Sequence, residues 1–147
     1  VTRKANIYGG GDMNLSRIIP DAIRSSIQGK ELVVRSDGTP ERDFIYVKDA
    51  VRGYLLLAEH IDIVKGEAFN FGSGKPISVK DLLQKIILLS GTEIKLNILG
   101  QAKGEIDRQY LGAGKIFERL GWQPEYTLDD GLWETIRWYN EYWSGSQ

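Results

Sequence analysis

Cysteine is absent from all 147 residues, which excludes disulfides, thiolate metal ligands and a cysteine nucleophile. The same absence fits a reducing compartment, and a cytoplasmic location is expected. Histidine occurs once, as His60, near a predicted helix end where the helix dipole accounts for it; no metal site is expected. No apolar run is long enough to cross a membrane, and no charge block or low-complexity tract argues for disorder. The net charge of −1 provides no basic field for a polyphosphate backbone, so nucleic acid is not an expected partner. Small anions remain within reach of individual arginines. Neither an initiator methionine nor a secretory leader precedes Val1, which fits a piece of a longer chain or a processed product.

What is present is globular. Hydrophobic residues make up 41% and charged residues 27%, in a length suited to one domain with a real core. Thr2 to Tyr8 reads as a strand running into Gly9-Gly10-Gly11-Asp12. Ile19, Ala22, Ile23, Ser26 and Ile27 share a helical face, with Pro20 in the first turn and Gly29 as the stop. Leu32 to Val34 and Phe44 to Val47 read as strands on either side of a turn-rich loop at residues 36–40. A second helix starts at Asp49 and carries Ala50, Val51, Tyr54, Leu55 and Ala58. Glu67 to Phe71 reads as a strand. Ser78 with Asp81 forms a capping-box pattern before Leu82, Leu83, Ile86 and Leu89, closed by Ser90-Gly91. Ile94 to Leu99 predicts a strand and Lys115 to Leu120 a short helix. Thr127 with Asp130 repeats the capping pattern before a helix with Leu128, Leu132, Ile136, Tyr139 and Trp143 on one stripe. The alternation predicts an α/β fold in one piece over residues 1–147, with about five mixed strands and four to five helices.

Two phosphate-loop look-alikes fail on inspection. The loop needs glycine five residues before its Gly-Lys pair and Ser or Thr after it. Around Gly74-Lys75 those positions hold Phe69 and Pro76, and around Gly114-Lys115 they hold Gln109 and Ile116. No Gly-x-Gly-x-x-Gly follows a strand, so no pyrophosphate cradle is encoded. No tyrosine is followed four residues later by lysine, the spacing that places a phenol and an ammonium on one helical face. No catalytic residue is expected in this chain.

The polar residues that remain suit binding. Arg42 ends a glycine-containing loop and opens a strand, a position that aims a guanidinium fork at a diphosphate or, equally, at a nearby surface carboxylate. Asn6 and Asn70 each place an amide in an apolar strand beside glycine. They either cap the adjacent turn or face a ligand crevice at the strand ends.

Together these segments resemble the extended short-chain dehydrogenase/reductases that act on nucleotide sugars, the NAD-dependent epimerase/dehydratase family. Arg3 to Gly9 resembles its R-x-x-N-x-Y-G motif, Arg42 to Asp49 its R-D-(F/Y/W)-x-Y-V-x-D motif, and Phe69 to Gly72 its F-N-x-G motif. Within the family the chain looks most like CDP-glucose 4,6-dehydratase-like proteins, through Gly9-Gly10-Gly11-Asp12, Arg35-Ser36-Asp37-Gly38, Glu105-Ile106, Gln109-Tyr110-Leu111 and Leu120-Gly121-Trp122. The resemblance implies the C-terminal part of a Rossmann-type fold, a small lobe that binds the nucleotide sugar.

The implied roles follow residue by residue. Asn6 and Asn70 contact sugar or phosphates, and Arg42 binds the diphosphate. Arg17 and Ile18 meet the nucleotide, Val33 and Arg35 lie beside the base, and Glu105 binds the ribose or orients an arginine. Many relatives carry an arginine shortly before that carboxylate; here Lys103 is a less directional substitute. In the complete family enzyme NAD oxidises the sugar at C4, water leaves from C5 and C6, and the hydride returns to C6. The NAD fingerprint and the catalytic groups all precede the strand at Thr2 in that pattern. NAD is therefore the cofactor of the full-length enzyme and is not expected to bind fully to this chain alone. The implied partners are a nucleotide diphosphate sugar, the missing N-terminal half or another protomer, and a second copy in a homo-oligomer. An NDP-sugar epimerase fragment and a stand-alone sugar-nucleotide-binding module are the alternatives.

Overall fold

The computed structural model describes residues 1–102 and 104–144. Three parallel strand pairs and one small mixed sheet organise the α/β fold. The expected strand at Thr2 to Tyr8 is broken at Ala5 into β1 (Thr2–Lys4) and β2 (Asn6–Tyr8). Its two halves pair with different neighbours. β1 runs parallel to β6 (Phe69–Phe71), with Arg3 beside Asn70 and Lys4 beside Phe71. β2 runs parallel to β5 (Phe44–Tyr46), with Asn6 beside Phe44. The switch happens within one residue: the Ala5 N–H donates to the Phe71 carbonyl at 2.9 Å and the Asn6 N–H to the Asp43 carbonyl at 3.0 Å. Sequence periodicity cannot register such a break, because both halves stay extended.

α1 (Ile18–Gln28) and α2 (Val47–Glu59) follow β2 and β5. α1 ends on Gly29, which adopts the left-handed conformation with φ 62°, as a glycine stop requires. Val47 opens α2 rather than closing the strand before it, with Tyr46 as the extended cap residue. His60 caps that helix, its Nδ1 3.0 Å from the Leu56 carbonyl. α4 (Val79–Ser90) begins as its sequence predicts: the Ser78 hydroxyl accepts from the Asp81 N–H at 3.0 Å and donates to the Asp81 carboxylate at 2.7 Å. α6 (Leu128–Ser144) starts in the same way at Thr127 and Asp130.

The described residues contain six helices and nine short strands, more than the four to five helices and about five strands expected. The additions are the single-turn α3 (Ile61–Val64) and the two-residue strands β4 (Glu41–Arg42), β7 (Ile77–Ser78) and β9 (Arg108–Gln109), each too short to carry a period, and the break at Ala5 adds one strand more. The small sheet runs β7-β4-β9. β3 (Glu31–Val34) pairs in parallel with β8 (Lys95–Ile98), and α5 (Gly114–Leu120) completes the set.

Two apolar clusters hold these pieces together. One joins α1, α4 and α6 over β3, through Ile23, Leu32, Leu82, Ile86, Leu132 and Tyr139. The other packs Ile45, Ala50, Phe69, Phe71, Ile116 and Trp122 beneath α2 and α5. Each fully buried aliphatic side chain contributes about 1.5–3 kcal/mol, and this anchors the strand ends that shape the clefts. No described helix is long and apolar enough to cross a membrane.

Candidate functional site

A cleft of about 480 Å³ lies along the segment from Lys4 to Tyr8 and the start of α1. Asn6, Arg17, Ile18 and Arg42 all line it, which brings together four of the eight residues singled out from sequence. Asn6 stands at the first position of β2, and its side-chain amide donates to the Asp43 carbonyl at 3.0 Å. Arg17 precedes α1 and pairs with Asp12 at 3.0 Å while staying more than half exposed. Ile18 gives the cleft an apolar wall at the helix start.

Arg42 is the most constrained of the four. Its guanidinium donates to the Ile106 carbonyl at 2.7 Å, to its own neighbour's carbonyl at Glu41 at 2.8 Å, and to the Glu105 carboxylate at 2.9 Å. Glu105 thus reaches the cleft through Arg42, in the geometry of a carboxylate that orients an arginine. The partner differs from the carboxylates nearest in sequence, because β4 and β9 lie side by side and carry residues 105 and 106 back to Arg42.

The other three residues lie elsewhere. Val33 is 48% exposed on β3. Arg35 follows that strand, and its carbonyl accepts from the N–H groups of Gln101 and Ala102. Asn70 lies in β6 beside Arg3, its Oδ1 buried without a hydrogen-bond partner among the described residues. Lys103 lies outside the described residues.

Asp43 received no role from sequence, yet its carbonyl holds both the backbone and the side chain of Asn6 in place. It is 1% exposed. Its carboxylate accepts from the Ser73 N–H at 3.1 Å, the Ser73 hydroxyl, the Gly74 N–H at 3.3 Å and the Leu111 N–H at 3.2 Å. The Ser73 and Gly74 N–H groups belong to one of the phosphate-loop look-alikes, and an acidic side chain already fills the place an anion would take.

A second cleft is larger, at about 760 Å³, and contains none of the eight residues. Its buried carboxylate, Asp49, is already engaged by Arg52 and by the N–H groups of Glu125 and Tyr126. Of the polar residues singled out from the sequence, Asn6, Arg17 and Arg42 converge in the smaller cleft.

NAD needs glycines that let the backbone approach a pyrophosphate. The glycines after β2 serve another purpose. A Cβ on Gly9 would lie 2.4 Å from Val47 Cγ1, and one on Gly10 would lie 2.4 Å from the Trp138 ring. Both admit side chains of this chain, so Gly9 and Gly10 do not form a pyrophosphate cradle. The described residues contain no cluster of three or more metal-ligating side chains.

Residues 1–72 match the model of a family described as the NAD dependent epimerase/dehydratase family. The low-salt glycan biosynthesis protein Agl12 of Haloferax volcanii is 31% identical over 140 residues, which cover 95% of this chain and 44% of that protein. The dTDP-glucose 4,6-dehydratase of Haemophilus influenzae is 29% identical, over 95% of this chain and 44% of its own length. The crystal structure of UDP-glucuronic acid 4-epimerase from Bacillus cereus, in complex with UDP-glucuronic acid and NAD, matches with a TM-score of 0.86 at 26% identity. That match covers 96% of this chain and 45% of the other. The chain spans about half the length of the relatives it matches.

Proposed function

The chain belongs to the NAD dependent epimerase/dehydratase family, and from that premise we propose that it is the nucleotide-sugar-binding part of an NDP-sugar dehydratase or epimerase. The observation that carries this reading is the convergence of Asn6, Arg17, Ile18 and Arg42 on one cleft. Two guanidinium groups and an amide above an apolar wall suit a diphosphate with an attached sugar or base. Within the family we favour a CDP-glucose 4,6-dehydratase type, on the strength of the Gly9 to Asp12 and Arg35 to Gly38 segments. Oxidation and water loss would then fall to residues outside this chain, with NAD held by the portion of the enzyme it does not span. The cysteine-free composition supports a cytoplasmic setting.

Calorimetric titration of the chain with CDP-glucose, UDP-glucose, dTDP-glucose and CDP tests the reading. Saturable binding, tightest for CDP-glucose, is expected. Loss of one charge-assisted contact in Arg17→Met should weaken binding by about 10- to 100-fold, from roughly 1.5–3 kcal/mol per such bond. A preference for UDP-glucose would move the assignment to the epimerases. Absence of heat with every nucleoside diphosphate, from a chain shown to be folded by circular dichroism, would overturn it.

A further inference from the structure

The donors of the smaller cleft are held in unequal ways. Asn6 is fixed by the Asp43 carbonyl through both its side chain and its backbone. Arg42 is tied down by the Glu105 carboxylate and two carbonyls. Arg17 has a single tether. Its Nη1 donates to Asp12 Oδ2 at 3.0 Å, and among the described residues its Nε and Nη2 donate to nothing. The Arg17 side chain is 59% exposed and that of Asp12 21%, and both residues line the cleft.

Asp12 is itself anchored from two directions. Its Oδ1 accepts from the Asn14 N–H at 3.1 Å, inside the loop that joins β2 to α1. Its carbonyl accepts from the hydroxyl of Tyr139, a buried residue of α6. The same stretch of α6 seats Trp138 against Gly10, where a Cβ would lie 2.4 Å from the ring. Asn14 continues the turn toward Arg17: its Oδ1 accepts from the Ser16 N–H at 3.0 Å, and its carbonyl accepts from the Arg17 N–H at 3.1 Å. A long helix on one side of Asp12 is thereby joined to a cleft arginine on the other.

An ion pair this exposed adds little to stability. What it changes is the freedom of Arg17. A loose arginine samples many rotamers and gives them up on meeting a ligand, whereas one held in advance has less to give up. The Asp12 charge also offsets part of the attraction of the guanidinium for an anion, but solvent screens that offset in an exposed pair. Asp12 engages one nitrogen only. The edge formed by Nε and Nη2 stays complete for two parallel bonds to an oxyanion.

We propose that Asp12 is a positioning residue of this cleft: it holds the Arg17 guanidinium by one nitrogen and leaves the others for the phosphates of the ligand, while Tyr139 steadies Asp12 from α6. The inference rests on reading the cleft as a nucleotide-sugar site. Asp12 itself makes no bond to the ligand.

Asp12→Asn isolates this role, because the amide keeps an acceptor for the Asn14 N–H and the carbonyl for Tyr139 while losing the charge on Arg17. NMR relaxation of the Arg17 Nε–H, assigned by its loss in Arg17→Met, should show a more mobile side chain in Asp12→Asn than in the unaltered chain. In calorimetry, pyrophosphate affinity should fall about two- to tenfold in Asp12→Asn, as expected when one side chain is no longer immobilised in advance. It should not fall further when Asp12→Asn is added to Arg17→Met. Tyr139→Phe should give a smaller loss with the same dependence on Arg17. Equal mobility of Arg17 in the two chains overturns the inference. So does an equal loss of affinity in both backgrounds, the mark of a purely structural role, or a gain, the mark of a competing anion. Each of those results, with CDP-glucose still bound, leaves the nucleotide-sugar reading in place. Dependence on Arg17 seen with pyrophosphate, in a chain that ignores CDP-glucose, keeps the inference and removes that reading. A chain that binds neither removes both. Circular dichroism of each variant guards against loss of fold.

Discussion

Asp43 links segments that are far apart in sequence. Its carboxylate gathers donors from Ser73, Gly74 and Leu111, and its carbonyl receives both the backbone and the side-chain N–H of Asn6. Its own N–H donates to the Gln109 carbonyl. The neighbouring Arg42 is therefore presented from a backbone that cannot shift without breaking several bonds. Asp43→Asn keeps the shape but turns an NH₂ group against N–H donors, and each unsatisfied group costs about 1–3 kcal/mol. Urea denaturation should show a loss of at least that size, while Asp37→Asn, on an exposed loop, should change little. The sequence revealed Arg42 and Asn6 as candidates because a charged fork and an amide are unusual in apolar strands. It could not reveal Asp43 as their support, because the donors lie about 30 and 68 residues away and no local pattern announces them.

Helices were legible where a cap and a period coincide. α4 and α6 each begin with the Ser or Thr and Asp pair that their sequences display, and the stripe of Leu132, Ile136 and Tyr139 is buried as its spacing requires. The switch of β1 and β2 between partners and the two-residue strands around Arg42 depend on distant neighbours, and periodicity carries no trace of them. Contact between elements also reverses one ordinary expectation. Glycine inside a helix costs about 0.5–1 kcal/mol relative to alanine, so Gly131→Ala in α6 should stabilise an isolated helix. Here α6 presses onto β2 and β5: a Cβ at Gly131 would lie 2.2 Å from the Tyr8 hydroxyl oxygen and 3.0 Å from Tyr46 Cγ. Overpacking of this kind costs about 1–3 kcal/mol, so Gly131→Ala is expected to destabilise the fold in urea titration. Adding Tyr8→Phe removes the clashing hydroxyl, together with its bond to the Leu128 carbonyl, and should recover part of the loss. A stabilised single variant would show that the α6 contact is looser than described.

At the scale of the whole molecule, one group of exposed apolar residues lies on α2 and α3. Val51, Tyr54 and Leu55 are 49–59% exposed on α2, and Ile61 and Ile63 on α3 are 54% and 60% exposed. The inner residues of α2, Ala50 and Gly53, are buried against the second core, so the helix is apolar on its outer face as well as its inner one. A helix apolar on both faces is normally covered on both. In solution the chain is expected to associate with a second copy through α2 and α3. Sedimentation equilibrium should show a concentration-dependent dimer that Leu55→Glu converts to monomer. Because Leu55 is already 59% exposed, that change should leave the urea midpoint of the monomer nearly unaltered, as surface substitutions do within about 0.5 kcal/mol. A monomer at every concentration would remove the second copy as occupant of this face. A dimer that survives both Leu55→Glu and Val51→Glu would place the contact elsewhere on the molecule.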